Sequence, residues 1–117
     1  MANGKRDGHG QASYKDGSRY NGDFRNNEFD GHGVRTYANG ARYDGEWRDA
    51  EKNGHGVLTF ANGTRYDGEW RGDRPNGYGT YTTTDGRTYA GTWTNGCFKQ
   101  GEYWATVGAT AQACGFK

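Results

Sequence analysis

Between residues 42 and 48 every second position is charged: Arg42, Asp44, Glu46 and Arg48 alternate with Tyr43, Gly45 and Trp47. A period of two belongs to an extended strand, whose successive side chains point to opposite faces. The pattern therefore predicts a strand with one aromatic-and-glycine face and one charged face. Upstream, Gly33-Val34-Arg35-Thr36-Tyr37 is β-prone through its branched and aromatic residues. Asn39-Gly40 between the two segments predicts a type I′ hairpin, in which both central residues take positive φ. A loop of only those residues would set Val34 opposite Gly45 and Thr36 opposite Tyr43. Asp49 to Asn53 then reads as a longer return loop, with Pro75 in the matching loop one unit later. Helix is excluded, since a glycine every few residues costs about 1 kcal/mol each in a helix interior.

The same pattern returns every 23 residues. Tyr20-Asn21-Gly22-Asp23-Phe24 is followed in phase by Tyr43-Asp44-Gly45-Glu46-Trp47, Tyr66-Asp67-Gly68-Glu69-Trp70 and Tyr89-Ala90-Gly91-Thr92-Trp93. Gly8-His9-Gly10, Gly31-His32-Gly33, Gly54-His55-Gly56 and Gly77-Tyr78-Gly79 keep step with it. So do the turn pairs Asp16-Gly17, Asn39-Gly40, Asn62-Gly63 and Asp85-Gly86. Three motifs sharing one period define a repeat array, each unit a hairpin leaning on its neighbours. Residues 1–117 then form one array: a partial unit at 1–19, full units at 20–42, 43–65 and 66–88, and a terminal unit with a cap at 89–117. The array enters mid-unit, which suggests a fragment of a longer protein or a naturally short array.

Composition changes this picture in one respect. Leucine, isoleucine and valine are nearly missing, yet the chain holds four Trp, nine Tyr and five Phe. Apolar burial must come from rings against glycine, each ring covering roughly 150–250 Å². The 15 Lys and Arg nearly balance 14 Asp and Glu, so no clustered basic face is expected and nucleic acid is not a predicted partner. No apolar run approaches the roughly 20 residues of a membrane span, and the first residues carry no signal-peptide pattern.

Tyr-x-Gly-x-Trp, a short loop, Gly-His-Gly, a β-prone pair and Asp/Asn-Gly within 23 residues resembles the MORN repeat (membrane occupation and recognition nexus), from about Gly4 to Trp93. The resemblance implies an all-β fold: an elongated single-layer antiparallel β-meander of four to five hairpin units with a degenerate C-terminal cap. It also implies a scaffold or binding role and carries over no catalytic residue. Members stand in junctional, cytoskeletal and ciliary proteins and beside lipid-kinase and methyltransferase domains, and binding to acidic phospholipids has been proposed for the family.

His9, His32 and His55 recur in phase. Equivalent histidines about 10 Å apart cannot share a metal held at roughly 2 Å, so each is expected to pack beside a Trp or Tyr of the next strand. Arg19, Arg42 and Arg65, with Arg25, Arg48 and Arg71, form two columns on the charged face. The carboxylates between them favour a lattice of cross-strand ion pairs over an anionic-lipid contact. The aromatic column offers the candidate partner-binding residues: Tyr43, Trp47, Tyr66, Trp70, Tyr89 and Trp93. Cys97 and Cys114, both in the cap, are candidates for a disulfide, which would place the protein in the periplasm or outside the cell. Two free thiols, in the cytoplasm or beside membrane or cytoskeleton, are the alternative. After Trp93 the expected Gly-x-Gly is replaced by Gln100-Gly101-Glu102, as in a capping repeat.

No nucleophile–base arrangement and no phosphate-binding loop is visible, so neither enzyme activity nor a cofactor or metal is expected. The leading reading is a non-enzymatic scaffold presenting an aromatic groove and a charged face to a protein partner or a second copy. Peripheral binding to anionic phospholipid or phosphoinositide is the alternative, and carbohydrate binding ranks third. The first strand, around Gln11 to Tyr14, is expected to offer an edge for association, with the opposite edge covered by the cap.

Overall fold

The computed structural model describes residues 7–101, 103–107 and 109–116; the first six residues of the partial N-terminal unit lie outside them. The strands run β1 (Gly8–Ser13), β2 (Arg19–Arg25), β3 (Glu28–Thr36), β4 (Arg42–Arg48), β5 (Glu51–Thr59), β6 (Arg65–Arg71), β7 (Arg74–Thr82), β8 (Thr88–Trp93), β9 (Cys97–Gln100) and β10 (Tyr103–Thr106). The first eight form one antiparallel sheet in strict chain order, and β9 pairs with β10 in a separate two-stranded sheet. No helix occurs among the described residues. The result is the predicted single-layer meander, 55 × 24 × 21 Å.

The faces follow the alternation. Tyr43, Gly45 and Trp47 are buried, while Arg42, Glu46 and Arg48 are exposed and Asp44 is half-exposed. The turns do not follow the prediction. Tyr37 N–H donates to Ala41 O at 2.8 Å, Gly40 N–H donates to Tyr37 O at 3.0 Å, and Gly40 alone of the central residues has positive φ. This is a type I turn closed by a bulge glycine, one residue longer than a type I′ loop. The Asn39 side-chain oxygen, accepting from Ala41 N–H at 2.9 Å, holds that geometry. The extra residue moves the register: Gly33 lies opposite Gly45, Val34 opposite Asp44 and Arg35 opposite Tyr43. The tight type I′ turn stands at the other end of the hairpins instead. Asp49 and Ala50, at φ 50° and 69°, join the paired Arg48 and Glu51. Glu51 to Asn53 is thus strand, not loop, and Pro75 is a fully buried strand residue opposite Trp70.

The corrected register reveals a line of glycine that crosses every strand of the sheet. Gly10, Gly22, Gly33, Gly45, Gly56, Gly68, Gly79 and Gly91 pair successively from β1 to β8. Tyrosine rings lie along this trough: a Cβ on Gly56 would stand 2.0 Å from the Tyr43 hydroxyl, and one on Gly79 2.1 Å from that of Tyr66. No side chain other than hydrogen fits there.

The sheet ends for a local reason. Gly31, Gly54 and Gly77 take φ of 97°, 97° and 110°, and Gly54 and Gly77 lie where the ladder shifts register. The residue in phase with them is Gln100. A Cβ strongly disfavours that conformation. β9 forms no ladder with β8 beyond the single Thr94–Cys97 bridge and packs on it through the Phe98 ring, then turns back to pair with β10. The Cys97 and Cys114 sulfurs are at bonding distance, Cα atoms 5.7 Å apart, tying the tail to β9.

Candidate functional site

The ring face is built in columns. Tyr20, Tyr43 and Tyr66 are no more than 1% exposed, and Trp47, Trp70 and Trp93 no more than 4%. Tyr43 and Tyr66 each touch the tryptophan of their own unit edge-to-face and that of the next, Tyr43 with Trp47 at 5.0 Å and Trp70 at 5.3 Å and Tyr66 with Trp70 and Trp93 at 5.2 Å. Tyr20 meets Phe24 at 5.0 Å and Trp47 at 5.7 Å. Such pairs contribute about 0.5–1.5 kcal/mol each beyond their burial. The polar tips are satisfied by backbone. Tyr43 and Tyr66 hydroxyls donate to the Glu46 and Glu69 carbonyls, and Trp47, Trp70 and Trp93 indoles donate to Gly33, Gly56 and Gly79 carbonyls. Burial, with the neighbouring Asp23 carboxylate, raises the Tyr20 phenol to about 12. Tyr43 and Tyr66 are raised further, again chiefly by burial and then by Glu46 and Glu69.

Of the candidate partner-binding residues, the structure brings Tyr43, Trp47, Tyr66, Trp70 and Trp93 into one buried cluster and leaves Tyr89 half-buried against it. Flanking the cluster on the same face are two columns that sequence reasoning passed over. Arg35, Leu58 and Tyr81 lie opposite the tyrosines, and Tyr37 and Phe60 lie at the hairpin ends; all are half-exposed. Their signal was the same 23-residue phase. On the other flank Phe29, Lys52, Pro75 and Phe98 fill one position with three chemistries. The Lys52 ammonium stands 5.5–5.7 Å from the ring centres of Tyr37, Tyr43, Trp47 and Trp70 and 3.6 Å from the Asp73 carboxylate. It occupies its own aromatic cage.

The histidines are not packed beside rings. Their place is the charged face, where His32 Nε2 lies 3.1 Å from Asp44 and His55 Nε2 lies 2.9 Å from Asp67, across strands. His9 sits between Asn21 at 3.0 Å and Asp23 at 3.5 Å. The register correction explains this, since Val34 and Val57, two residues from each histidine, lie opposite Asp44 and Asp67. Where Tyr78 replaces the histidine, Ala90 replaces the aspartate. Arg42–Asp44 at 3.9 Å and Arg65–Asp67 at 3.6 Å run along a strand, not across as the lattice reading had it. These exposed pairs are each worth less than about 1 kcal/mol. No group of three metal-ligating side chains occurs among the described residues, and no helix there is long and apolar enough to cross a membrane.

A one-layer antiparallel sheet built from identical hairpins, with rings on glycine along one face and paired charges on the other, defines a repeat scaffold. The chain belongs to the MORN repeat family, whose model matches residues 1–19, 20–42, 43–65 and 66–86. A comparison with curated proteins finds no match. MORN repeats are generally protein- or membrane-interaction modules, and the family is a non-enzymatic repeat module.

Proposed function

We propose that the protein is a non-enzymatic scaffold that holds an extended polypeptide partner along its ring face. One observation carries this reading. Half-exposed Tyr37, Leu58, Phe60, Tyr81 and Tyr89 run in repeat phase beside rings that are already closed. Tyr43, Trp47, Tyr66, Trp70 and Trp93 then serve as the floor that fixes these groups, and Tyr89 is the one candidate that reaches the partner itself. A rigid array of apolar side chains at regular spacing suits an extended or helical segment with anchors at matching intervals. The anionic-lipid alternative draws no support from the charged face, where Asp44 and Asp67 each sit within 4.0 Å of both a histidine and an arginine.

Panning a displayed random-peptide library against the chain tests the reading. Selected peptides should lose at least about tenfold in affinity, roughly 1.4 kcal/mol, with Leu58→Ala or Tyr81→Ala, and be unchanged by Arg48→Ala. Peptides indifferent to both groove substitutions would refute the groove. Salt-sensitive binding to phosphatidylserine vesicles, lost with Arg48→Ala, would favour the lipid alternative.

A further inference from the structure

The two ends of the eight-stranded sheet carry matching vacancies. On β8 the backbone of the outer edge is bridged only beyond its C-terminal end, where Thr94 meets Cys97. The Phe98 ring packs on Trp93 at 5.1 Å and reaches Tyr89 at 6.1 Å and the Cα side of Gly91. Thr88, Ala90 and Thr92 are exposed, and Tyr89 and Gly91 are half-buried where their counterparts Tyr66 and Gly68 are buried. Beside this edge lies a cleft of about 510 Å³ lined by Arg87, Thr88, Tyr89, Phe98, Gln100 and Tyr103. The cap therefore does not close this edge, contrary to the sequence expectation. One unit earlier the same edge of β6 takes β7, with Gly68 opposite Gly79, Tyr66 opposite Tyr81, and the Tyr66 ring over Gly79. Tyr89 has a ring and no such glycine.

The complementary vacancy is on β1. Gly33, Gly56 and Gly79 each lie under the tyrosine of the preceding unit, at 2.0–2.1 Å from an added Cβ. Gly10, in phase with them, meets only the Phe24 ring, at 3.5 Å, among the described residues. Phase also settles the space available. β9, Cys97–Gln100, stands in the repeat where Arg74–Gly77 stand, while β1, Gly8–Ser13, is in phase with Gly77–Thr82. The cap fills the first half of the next strand's place, and β1 has the length and glycine position to fill the second half.

We propose that β8 and its adjoining cleft receive β1 of a second copy of this chain, setting Gly91 opposite Gly10, Tyr89 opposite Ala12 and Thr88 opposite Ser13. The ring of Tyr89 then lies over the second copy's Gly10, repeating the Tyr66–Gly79 contact. Such an interface is head-to-tail, so it leaves one donor and one acceptor end free and propagates without closing. It shares Tyr89 with the groove but uses neither Leu58 nor Tyr81, so substitution at those two residues separates it from the groove.

Sedimentation velocity on the whole chain across a wide concentration range tests it. The chain should associate progressively, without a stop at the dimer. Gly10→Val blocks the seat and Tyr89→Ala removes the ring; each should raise the half-association concentration at least about tenfold. The decisive sample is their mixture. A Gly10→Val copy keeps a working β8 end and a Tyr89→Ala copy keeps a working β1, so the two should form a one-to-one complex and nothing larger. That complex also shows that both variants are folded. A chain that stays monomeric throughout, variants that associate like the parent, or a mixture that remains monomeric while the parent associates would each overturn the proposal. Leu58→Ala should leave association unchanged, so loss of self-assembly there would transfer the interface to the groove.

Discussion

The middle of the sheet and its C-terminal end begin from the same sequence pattern and finish differently. In β4 and β6 the repeat tyrosines, Tyr43 and Tyr66, are each closed by a tryptophan on either side and by a glycine beneath. At β8 the pattern supplies Tyr89 and Trp93, but the next strand departs at Gln100 and Tyr89 stays half-buried. The side chains that a unit contributes do not complete it. What completes it is the following strand, and that strand depends on a glycine free to take positive φ. Stability in such an array resides in the contacts between units as much as within them.

The sharpest way to break this contrast is to fill the trough in the middle and compare the end. Gly56→Ala should cost about 3 kcal/mol, because the new methyl displaces the Tyr43 ring from a packed cluster. Gly10→Ala, whose methyl would make only an ordinary van der Waals contact with the Phe24 ring, should cost less than about 1 kcal/mol. Urea midpoints of the two variants measure the difference, and equal shifts would mean the rings do not lie in the trough.

Alkali should probe the buried tyrosines of the sheet by titration. Tyr20, Tyr43 and Tyr66 have phenols raised above the ordinary 10 by burial, so folding keeps them protonated. The sign follows from linkage: their contribution is intact below pH 10 and is lost as pH rises from 10 toward the folded-state values, about 12 for Tyr20. Tyrosinate absorbance from these three rings should rise in a late phase coincident with unfolding. A single smooth transition near 10 without loss of structure would contradict the buried assignment.

The smallest effect tests the turns. Ala50 holds φ at 69° with a Cβ, whereas the corresponding turn before the cap has Gly96 at 84°. Ala50→Gly should stabilise by about 1 kcal/mol, removing the left-handed penalty at the expense of some chain entropy. A loss of melting temperature would show that the turn is held by something other than its own backbone preference.

Fold class, unit length and face assignment were legible because a period of two and a period of 23 are both written in side chains. Register was not. Asn39-Gly40 suits a type I′ turn and a type I turn with a bulge glycine alike, and the choice falls to the contact between the Asn39 oxygen and Ala41 N–H. Asp49-Ala50 hid the real type I′ turn because it contains no glycine; its counterparts Asn26-Asn27 and Gly72-Asp73 carried the clue. That one-residue error also misplaced the histidines, whose aspartate partners become visible only once Val34 faces Asp44. The aromatic candidates were read correctly as a column, but the alternation could not say which rings the neighbouring units would cover.

The line of glycine has a metric consequence. Strands laid side by side are spaced about 4.8 Å apart, and every unit adds two of them with the backbone itself as the contact surface. Nothing in that contact depends on a unit's place in the series. Inserting a copy of residues 43–65 should therefore lengthen the molecule by one graduation of roughly 10 Å without disturbing the markings on either side. The chain is a ruler, and its 23-residue step sets the interval at which any partner must carry its own anchors.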